Sequence, residues 1–333
     1  MTTAYTASRT HITGHCPFVD HVRTQVARTV VGQDIVVERV LIALLTGGHL
    51  LLEGVPGIAK TLLVQSVAKA IDLRFARVQF TIDLLPSDIV GSEILEQKTS
   101  EFRIHKGPIF TNLLLADEIN RASPKVQSAL LEAMQERRVS IGDKTYDLPA
   151  PFLVIATQNP VEQAGTFELP EAQLDRFMLR HRLSYPTPAE EAEVVRRSIA
   201  LKLKRQGEGA VPMSAFDAID EEQRLHVRDL TTAMTAVQAI HVSDVFVRDC
   251  VELVGLTRSH ADLELGCSPR AALALVHASR ARAYIHGREY TIPEDIFALA
   301  EDVMLHRMRV KYEALAEGRS NTAVLRGLLS TLA

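Results

Sequence analysis

Apolar and polar positions along the chain follow two different patterns, one before and one after about residue 186. In the first part, short apolar runs alternate with longer segments whose apolar residues recur on one helical face. Strand and helix alternation of this kind favours a parallel α/β sheet. These short apolar runs predict five strands, at 49–53, 75–80, 112–117, 152–157 and 177–184.

Helical periodicity predicts two helices ahead of the first strand, at 18–30 and 34–46. Residues 1–17 are Thr-rich and aperiodic, which predicts a frayed N-terminal arm. Beyond Pro186 the strand signals fade, and the pattern predicts an α/β domain at 1–186 followed by a smaller all-α domain at 187–333. The helices predicted in the second domain are 188–204, 221–239, 243–258, 269–286 and 293–306.

Two further segments interrupt the strand and helix alternation of the first domain. An extra block, 84–107, separates the second predicted strand from the third. A short alternating segment, 138–148, turns at Gly142-Asp143 and predicts a β-hairpin.

The sequence GVPGIAKT, Gly54 to Thr61, lies between the first predicted strand and a helix that extends to Ile71. This context predicts a phosphate-binding loop, because successive backbone N–H groups and a helix N-terminus attract the same anion. Lys60 would reach the β- and γ-phosphates of ATP, and the Thr61 hydroxyl would bind Mg²⁺. The alternative interpretation is a Gly/Pro turn between a core strand and a core helix, with a solvated lysine.

Ala59 departs from the general pattern of such loops, which place glycine directly before the lysine. Alanine adds only a methyl group. We therefore expect the anion nest to survive if Ala59 is not at positive φ.

The segment LLLADE, Leu113 to Glu118, ends an apolar strand with two adjacent carboxylates. Such a pair at a buried strand end is costly without a cation or a charged partner. We predict that Asp117 holds Mg²⁺ through water and that Glu118 orients the attacking water. The alternative is a capped helix start after a core strand.

The charge balance, the apolar runs and the spacing of cysteines and histidines narrow the classes of protein to which the chain can belong. The 333 residues include 37 basic and 41 acidic side chains, a formal charge of −4, which leaves no electrostatic footprint for nucleic acid or an acidic membrane. No apolar run approaches the roughly 20 residues of a membrane span, and the first 20 residues lack a signal-peptide core. Three cysteines and twelve histidines show no metal-binding spacing, so a reduced, cytosolic protein is predicted.

From about Val31 to Met308, the chain resembles the MoxR group of AAA+ ATPases. The segment 107–122 is similar to the acidic-strand signature of that family, and 128–136 continues the match. Further similarities, in chain order, are an adenine-contacting segment at 31–33, a sensor-1 strand at 156–160, an arginine-finger helix at 174–177, a sensor-2 entry at 266–270 and the end of the lid at 293–296 and 306–307.

The resemblance implies nucleotide contacts beyond the loop. Val31 and Gly32 would touch adenine. Asn159 would bond the γ-phosphate or the attacking water; from the residues alone, a turn-forming Asn before Pro160 is an equal alternative. The predicted nucleotide-binding residues also include those of the loop and of the start of the following helix, which are Gly54, Val55, Pro56, Gly57, Ile58, Ala59, Lys60, Thr61 and Leu62.

Two arginines are also assigned roles by the resemblance. Arg176 would be an arginine finger supplied to the nucleotide of a neighbouring subunit, with Arg121 and Arg180 as competitors for that role; the alternative is a surface salt bridge with Asp175 or Glu171. Arg270 would reach the γ-phosphate from the lid of its own subunit, and a solvated arginine at a Ser-Pro helix start is its alternative.

The resemblance thus implies an ATPase that uses ATP and Mg²⁺, forms a ring, expected to be a hexamer, and remodels or matures a protein client. A client with a von Willebrand factor type A domain is expected from the family. The segments 84–107 and 138–148 resemble the helix-2 insert and the pre-sensor-1 hairpin of the family, which would grip a partner; the alternative is a pair of ordinary surface loops. The alternatives are the ATPase subunit of a metal chelatase, a nucleic-acid motor of the MCM type and a nucleotide-gated scaffold that barely hydrolyses ATP.

Overall fold

A computed structural model describes residues 16–55, 57–97, 100–160, 165–206, 209–219 and 223–332. Nearly all of the predicted N-terminal arm, and Pro56 of the predicted loop, lie outside the described residues.

Helices and strands alternate through the first half of the chain, and helices dominate the second. The helices are α1 (Pro17–Ala27), α2 (Asp34–Thr46), α3 (Lys60–Ala70), α4 (Pro86–Val90), α5 (Pro124–Glu136), α6 (Glu171–Leu174), α7 (Pro188–Ile199), α8 (Val227–Ala239), α9 (Asp244–Ser259), α10 (Pro269–Ile285), α11 (Pro293–Met304), α12 (Tyr312–Ala316) and α13 (Asn321–Leu332). The strands are β1 (Leu50–Glu53), β2 (Phe75–Gln79), β3 (Gly91–Glu96), β4 (Glu101–Lys106), β5 (Leu113–Asp117), β6 (Arg138–Ile141), β7 (Lys144–Asp147), β8 (Leu153–Gln158), β9 (Leu179–Arg182), β10 (Leu203–Gln206), β11 (Gly209–Pro212), β12 (Leu263–Leu265) and β13 (Arg309–Val310).

The five predicted strands form one parallel sheet in the order β2–β5–β8–β1–β9. Successive side chains of a strand point to opposite faces, and both faces are buried at the three central strands β5, β8 and β1. Leu50 and Leu52 belong to the larger apolar core, which extends into α1, α2, α3 and the C-terminal helices, whereas Leu51 belongs to a second core that contains α5. Burial on both faces explains why β1, β5 and β8 read as continuous apolar runs, whereas the edge strands β2 and β9 carry polar residues and are only partly buried.

Two antiparallel hairpins project from the segments that interrupt the alternation. The short helix α4 leads into the β3–β4 hairpin within 84–107. The β6–β7 hairpin occupies 138–147 and turns at Gly142, which has a φ of +58°.

The second part of the chain is mainly helical, which confirms the predicted fold class of an α/β core followed by a smaller helical lid. The domain boundary near 186 stays a prediction. Two small sheets were not predicted: β10 pairs with β11 where helix α7 was expected to continue to 204, and β12 pairs with β13 across about 45 residues of chain. Helices α12 and α13 were also missed. In the part of the chain that is described, no helix combines the length and apolar character required to cross a membrane.

Candidate functional site

The carboxyl ends of β1, β5 and β8 bring the predicted catalytic segments to one edge of the sheet. The backbone N–H of Gly54, where the loop leaves β1, donates to the carbonyl of Gln158 at the end of β8 (3.2 Å). Asn159 follows directly and is buried. Because β8 lies between β1 and β5, the loop, Asn159 and the carboxylates of Asp117 and Glu118 meet at this edge.

Lys60 begins α3 and turns its side chain back over the loop. Its Nζ donates to the carbonyl of Gly54 at 2.7 Å. Burial lowers the pKa of Lys60 from its ordinary value, and the neighbouring charges of Asp117 and Glu118 act in the opposite direction. The ammonium group therefore lies within electrostatic reach of both carboxylates.

The loop adopts left-handed backbone conformations on both sides of Ile58. Gly57 has a φ of +87°, and Ala59 has a φ of +60° and a ψ of +25°. The condition set on Ala59 is therefore not met, and alanine in this region costs about 1–2 kcal/mol relative to a right-handed conformation. Alternating handedness is also what turns successive N–H groups toward one anion, so the strained residue shapes the nest instead of disrupting it.

Asp117 is held by two side chains that the sequence did not single out. The hydroxyl of Thr157, on β8, donates to Asp117 Oδ1 at 2.6 Å and accepts from the Glu118 N–H at 2.9 Å. Arg77, on the neighbouring strand β2, donates to Oδ2 through Nη2 at 2.6 Å and through Nε at 3.0 Å. Both carboxylate oxygens thus have donors within the protein.

Glu118 occupies a left-handed backbone position, with a φ of +56°. Its Oε2 accepts from Gln79 at 2.8 Å and from Arg121 at 2.9 Å. Strained backbone of this kind is retained where the surrounding structure forces it, and such positions cluster at functional sites. The Arg121 contact also places this arginine in the same site as Glu118.

The oxygen donors at this edge fit magnesium bound together with a nucleotide. Mg²⁺ takes one or two carboxylates and fills its remaining positions with water and phosphate oxygens. Thr61, in the first turn of α3, and Asp117 supply a hydroxyl and a carboxylate of that kind. Across the residues that the structure describes, no group of three or more His, Cys, Asp or Glu side chains forms an all-protein cage.

A cavity of about 510 Å³ opens beside the loop. One wall is formed by the turn between α1 and α2, including Val31 and Gln33, and another by Gly57, Ile58, Ala59 and Leu62. The mainly apolar lining suits the flat, weakly polar face of a purine base. The remaining wall is made by residues that were not predicted, Tyr185, Val194 and Val195.

Gly32 lies at the entrance to this region with a φ of +66°. A Cβ atom there would collide with the carboxylate of Glu190, which also closes the capping box of α7 with Thr187. Glycine at this position therefore allows the α1–α2 turn to pack against the start of α7, the helix that carries Val194 and Val195.

Arg176 and Arg270 lie at the opposite edge of the sheet. They line a second cavity of about 280 Å³, here called the arginine cleft, together with Asp175, Arg307 and residues such as His49 and Met178. His49 and Met178 directly precede β1 and β9, so the cleft lies at the amino ends of the strands. The four residues of β1 separate it from the loop by about 13 Å at roughly 3.3 Å per residue.

Arg176 uses only part of its hydrogen-bonding capacity within the described residues. Its Nη1 donates to the Leu131 carbonyl at 3.1 Å, and its buried Nε has no hydrogen-bond partner among the described residues. The surface salt bridge considered for Arg176 is not formed with Glu171, which pairs instead with Arg309 at 2.5 Å.

Arg270 is half exposed, and its Nη1 lies 3.7 Å from Asp175 Oδ2. This position does not support the expectation that Arg270 reaches the phosphates of its own subunit.

His49 adds no charge to the arginine cleft. Burial lowers the pKa of His49 to about 4. Its Nδ1 accepts from the Val154 N–H at 3.0 Å, so Nε2 carries the proton and donates to the Met134 carbonyl at 3.1 Å. The cationic character of the cleft therefore comes from its arginines.

Glu53, the last residue of β1, has a buried carboxylate that binds one mostly buried arginine and one exposed arginine just before the loop. Its carboxylate binds Arg180 Nη2 at 2.6 Å and Arg182 Nε at 3.1 Å, both from the adjacent strand β9. Arg180, the other competitor for a trans role, is thereby engaged inside its own subunit.

We expect Glu53→Gln to lower the free energy of unfolding by about 3 kcal/mol, because breaking a buried ion pair leaves an uncompensated charge. Chemical denaturation measures this change. Glu193→Gln is the matched control: Glu193 also binds two arginines, Arg196 and Arg197, but on the exposed face of α7, where ion pairs contribute little. Equal effects of the two substitutions would contradict the role assigned to burial.

The residues that the sequence did not reveal share one property, since each acts through a strand or helix that is distant in the chain. Arg77 and Gln79 are polar residues two apart on β2, which is the visible trace of a shared strand face. Their partners Asp117 and Glu118 lie about 40 residues later, and only the pairing of β2 with β5 brings them together.

Comparison with known proteins follows the same division of the chain. The family described as ATPase family associated with various cellular activities (AAA) matches residues 49–179, and the AAA lid domain matches residues 255–328. A crystal structure described as a candidate ATPase from Cytophaga hutchinsonii superposes with a TM-score of 0.82 at 42% identity, covering 94% of this chain and 93% of that one.

Similar sequences extend over nearly the whole length. The chain is 44% identical to the Mycobacterium tuberculosis protein named chaperone MoxR1, over 93% of this chain and 80% of that protein. It is 43% identical to YeaC of Bacillus subtilis, over 94% and 92% of the two chains, and 31% identical to MoxR of Methylorubrum extorquens, over 85% of each. With its parallel P-loop core and helical lid, the chain belongs to the MoxR family of AAA+ ATPases.

Proposed function

We propose that this chain hydrolyses MgATP at sites shared between neighbouring copies of itself, and that the resulting ring remodels or matures a protein client. The observation that carries the proposal is the convergence of Lys60, Asp117, Glu118 and Asn159 at the carboxyl edge of the sheet. A mainly apolar cavity of nucleoside size adjoins them.

Each residue at this edge has a distinct task in the proposal. The loop amides and Lys60 bind the β- and γ-phosphates, and the walls at Val31 and Leu62 enclose the base. Thr61 and Asp117 would hold Mg²⁺, which neutralises phosphate charge when it is bound. Arg77 and Thr157 orient Asp117.

Glu118 polarises the attacking water, and Asn159 fixes the water or the γ-phosphate. Glu118 is engaged by Gln79 and Arg121 in this structure. A rotation of its side chain toward the γ-phosphate would therefore exchange these contacts for the bond to water.

The positions of four arginines support a nucleotide site that is shared between neighbouring subunits. Arg121 and Arg180 bind Glu118 and Glu53 of their own subunit, whereas Arg176 and Arg270 lie at the opposite edge of the sheet. In a ring, one edge of each subunit can face the opposite edge of the next, because a heterologous contact closes by rotation. Arg176, with Arg270 beside it, would then complete the neighbour's nucleotide site.

The finer parts of the proposal rest on family membership. A hexamer, a protein client and a von Willebrand factor type A domain in that client are proposed on this ground, and the name of the mycobacterial relative, chaperone MoxR1, agrees with client remodelling.

Cys16, Cys250 and Cys267 are buried free thiols, and burial raises the pKa of Cys250 to about 12 and that of Cys267 to about 11. They pack as core residues, and a cytosolic location stays a prediction.

We expect Lys60→Ala to weaken ATP binding by about 100-fold, because a hydrogen bond to a charged group contributes about 1.5–3 kcal/mol. Titration with a fluorescent ATP analogue measures the affinity. Lys69→Ala, at the far end of the same helix, is the control and should bind as the unmodified protein does. Unchanged affinity of the Lys60→Ala protein would refute the assignment of the phosphate loop.

A further inference from the structure

The carboxylate of Asp175 lies where the α/β core meets the lid. Its Oδ1 accepts from Arg307 Nε at 2.8 Å, and its two oxygens share the hydroxyl of Ser268 at 3.0 Å each. Ser268 and Arg307 both belong to the lid side, whereas Asp175 directly precedes Arg176 in the core. One side chain thus connects both parts of the molecule at the arginine cleft.

Ser268 transmits this connection to Arg270. The same hydroxyl that donates to Asp175 is the N-cap of α10 and accepts from the Arg270 N–H at 3.2 Å. The first turn of α10 is therefore fixed relative to Asp175, and Arg270 begins from a defined backbone position.

Arg307 fixes the other side of the same contact. Its side chain is only 3% exposed, and it donates to the carbonyls of Asp175 (3.2 Å) and Phe177 (2.7 Å) as well as to the Asp175 carboxylate. The backbone on both sides of Arg176 is thus held by one lid arginine. A buried guanidinium with this many bonds needs a counter-charge, and Asp175 supplies it.

We propose that Asp175 is a positioning residue that holds Arg176 of the core and Arg270 of the lid at a fixed separation, so that both meet one anion. The anion is the terminal phosphate of a nucleotide bound by a second copy of this chain, and the inference rests on the proposed shared site. Rotation of the lid would move Arg270 away from Arg176 unless the bonds from Asp175 to Ser268 and Arg307 hold. Lid orientation is thereby linked to the catalytic capacity that one subunit offers its neighbour.

The first test compares Asp175→Asn with Glu171→Gln. Glu171 also lies on the α6 segment and also binds a lid arginine, Arg309, but outside the cleft. We expect Asp175→Asn to lower the ATPase rate per subunit by about 100-fold, since small misplacement of a catalytic group has effects of that size. ATP affinity and oligomer mass should stay unchanged, and Glu171→Gln should retain the full rate. A full rate in the Asp175→Asn protein would overturn the proposal.

Mixing with Lys60→Ala distinguishes positioning from general damage. Subunits with Lys60→Ala are expected to stay largely empty at an ATP concentration that just saturates the intact loops, but they carry an intact Asp175, Arg176 and Arg270. In mixed oligomers they should restore hydrolysis by Asp175→Asn subunits, whose own loops are intact. If Arg176→Ala subunits are rescued in this way and Asp175→Asn subunits are not, the role proposed for Asp175 is wrong. If neither is rescued, the shared site itself fails.

A second variant covers the case in which Asp175→Asn does not fold, as judged by its circular dichroism. Ser268→Ala keeps the carboxylate and removes only the hydroxyl that connects it to α10. Ser243→Ala is matched to it, because Ser243 caps α9 by accepting from the Phe246 N–H at 3.1 Å and has no arginine partner among the described residues. A lower rate with Ser268→Ala alone, rescued by Lys60→Ala, supports the proposal, and equal rates of the two serine variants contradict it.

Discussion

Glu118→Gln is expected to reduce ATP hydrolysis by about 10²–10⁴-fold, the range that a positioned general base contributes. Glutamine keeps the size of the side chain but cannot accept a proton from water. Lys60, the loop amides and the cavity at Val31 are untouched, so ATP affinity should be preserved. The variant should therefore accumulate bound ATP.

Single-turnover hydrolysis and equilibrium binding, measured on the same sample, separate these two effects. Glu136→Gln serves as the control, because its carboxylate lies at the end of α5 and pairs with Arg138, away from the site. If Glu118→Gln turns over at the unmodified rate, Glu118 is not the residue that activates water.

Arg176→Ala should lower the rate by about 10³–10⁵-fold without weakening ATP binding, in line with arginine fingers measured in GTPases. The physical reason is the position of Arg176 about 13 Å from its own loop, by the roughly 3.3 Å rise of each β1 residue. At that distance it cannot contact the phosphates of its own subunit, so a catalytic role requires the nucleotide of a neighbour.

Titrating Arg176→Ala subunits into the unmodified protein tests this directly. Each altered subunit removes the activity of an adjacent site that is itself intact. In a ring whose sites hydrolyse ATP in concert, the loss of activity should therefore be larger than the fraction of altered subunits. Arg326→Ala, an exposed arginine paired with Glu301, should show no effect. A strictly linear decline would contradict concerted hydrolysis in the ring. Catalysis between subunits would be contradicted if Lys60→Ala subunits failed to restore hydrolysis by Arg176→Ala subunits.

The centre of the sheet was predictable because the strands β1, β5 and β8 are buried on both faces. Leu50, Leu51 and Leu52 are all inaccessible, although they pack into two different cores, and the apolar run shows this directly. The prediction of a phosphate loop used the same run, because glycine, lysine and threonine follow it in the chain. In contrast, the β10–β11 hairpin is solvated, and Leu203 is mostly exposed, so its pattern did not differ from the end of a helix.

The edge of the sheet at which each arginine lies was not predictable. Arg270 was expected to face the phosphates of its own subunit because the segment 266–270 resembles the sensor-2 entry of the family. Its location depends on the bond between Ser268 and Asp175, which are 93 residues apart in the chain. The handedness of Ala59 depends likewise on how the loop closes against α3, which a methyl group alone does not reveal.

The ATPase rate per subunit, measured against protein concentration with the mass determined under the same conditions, tests the central claim most directly. If neighbouring copies share each site, the rate should rise as oligomers form and level off when assembly is complete. A constant rate from a monomer would mean that each subunit completes hydrolysis alone, and the shared-site account would be contradicted.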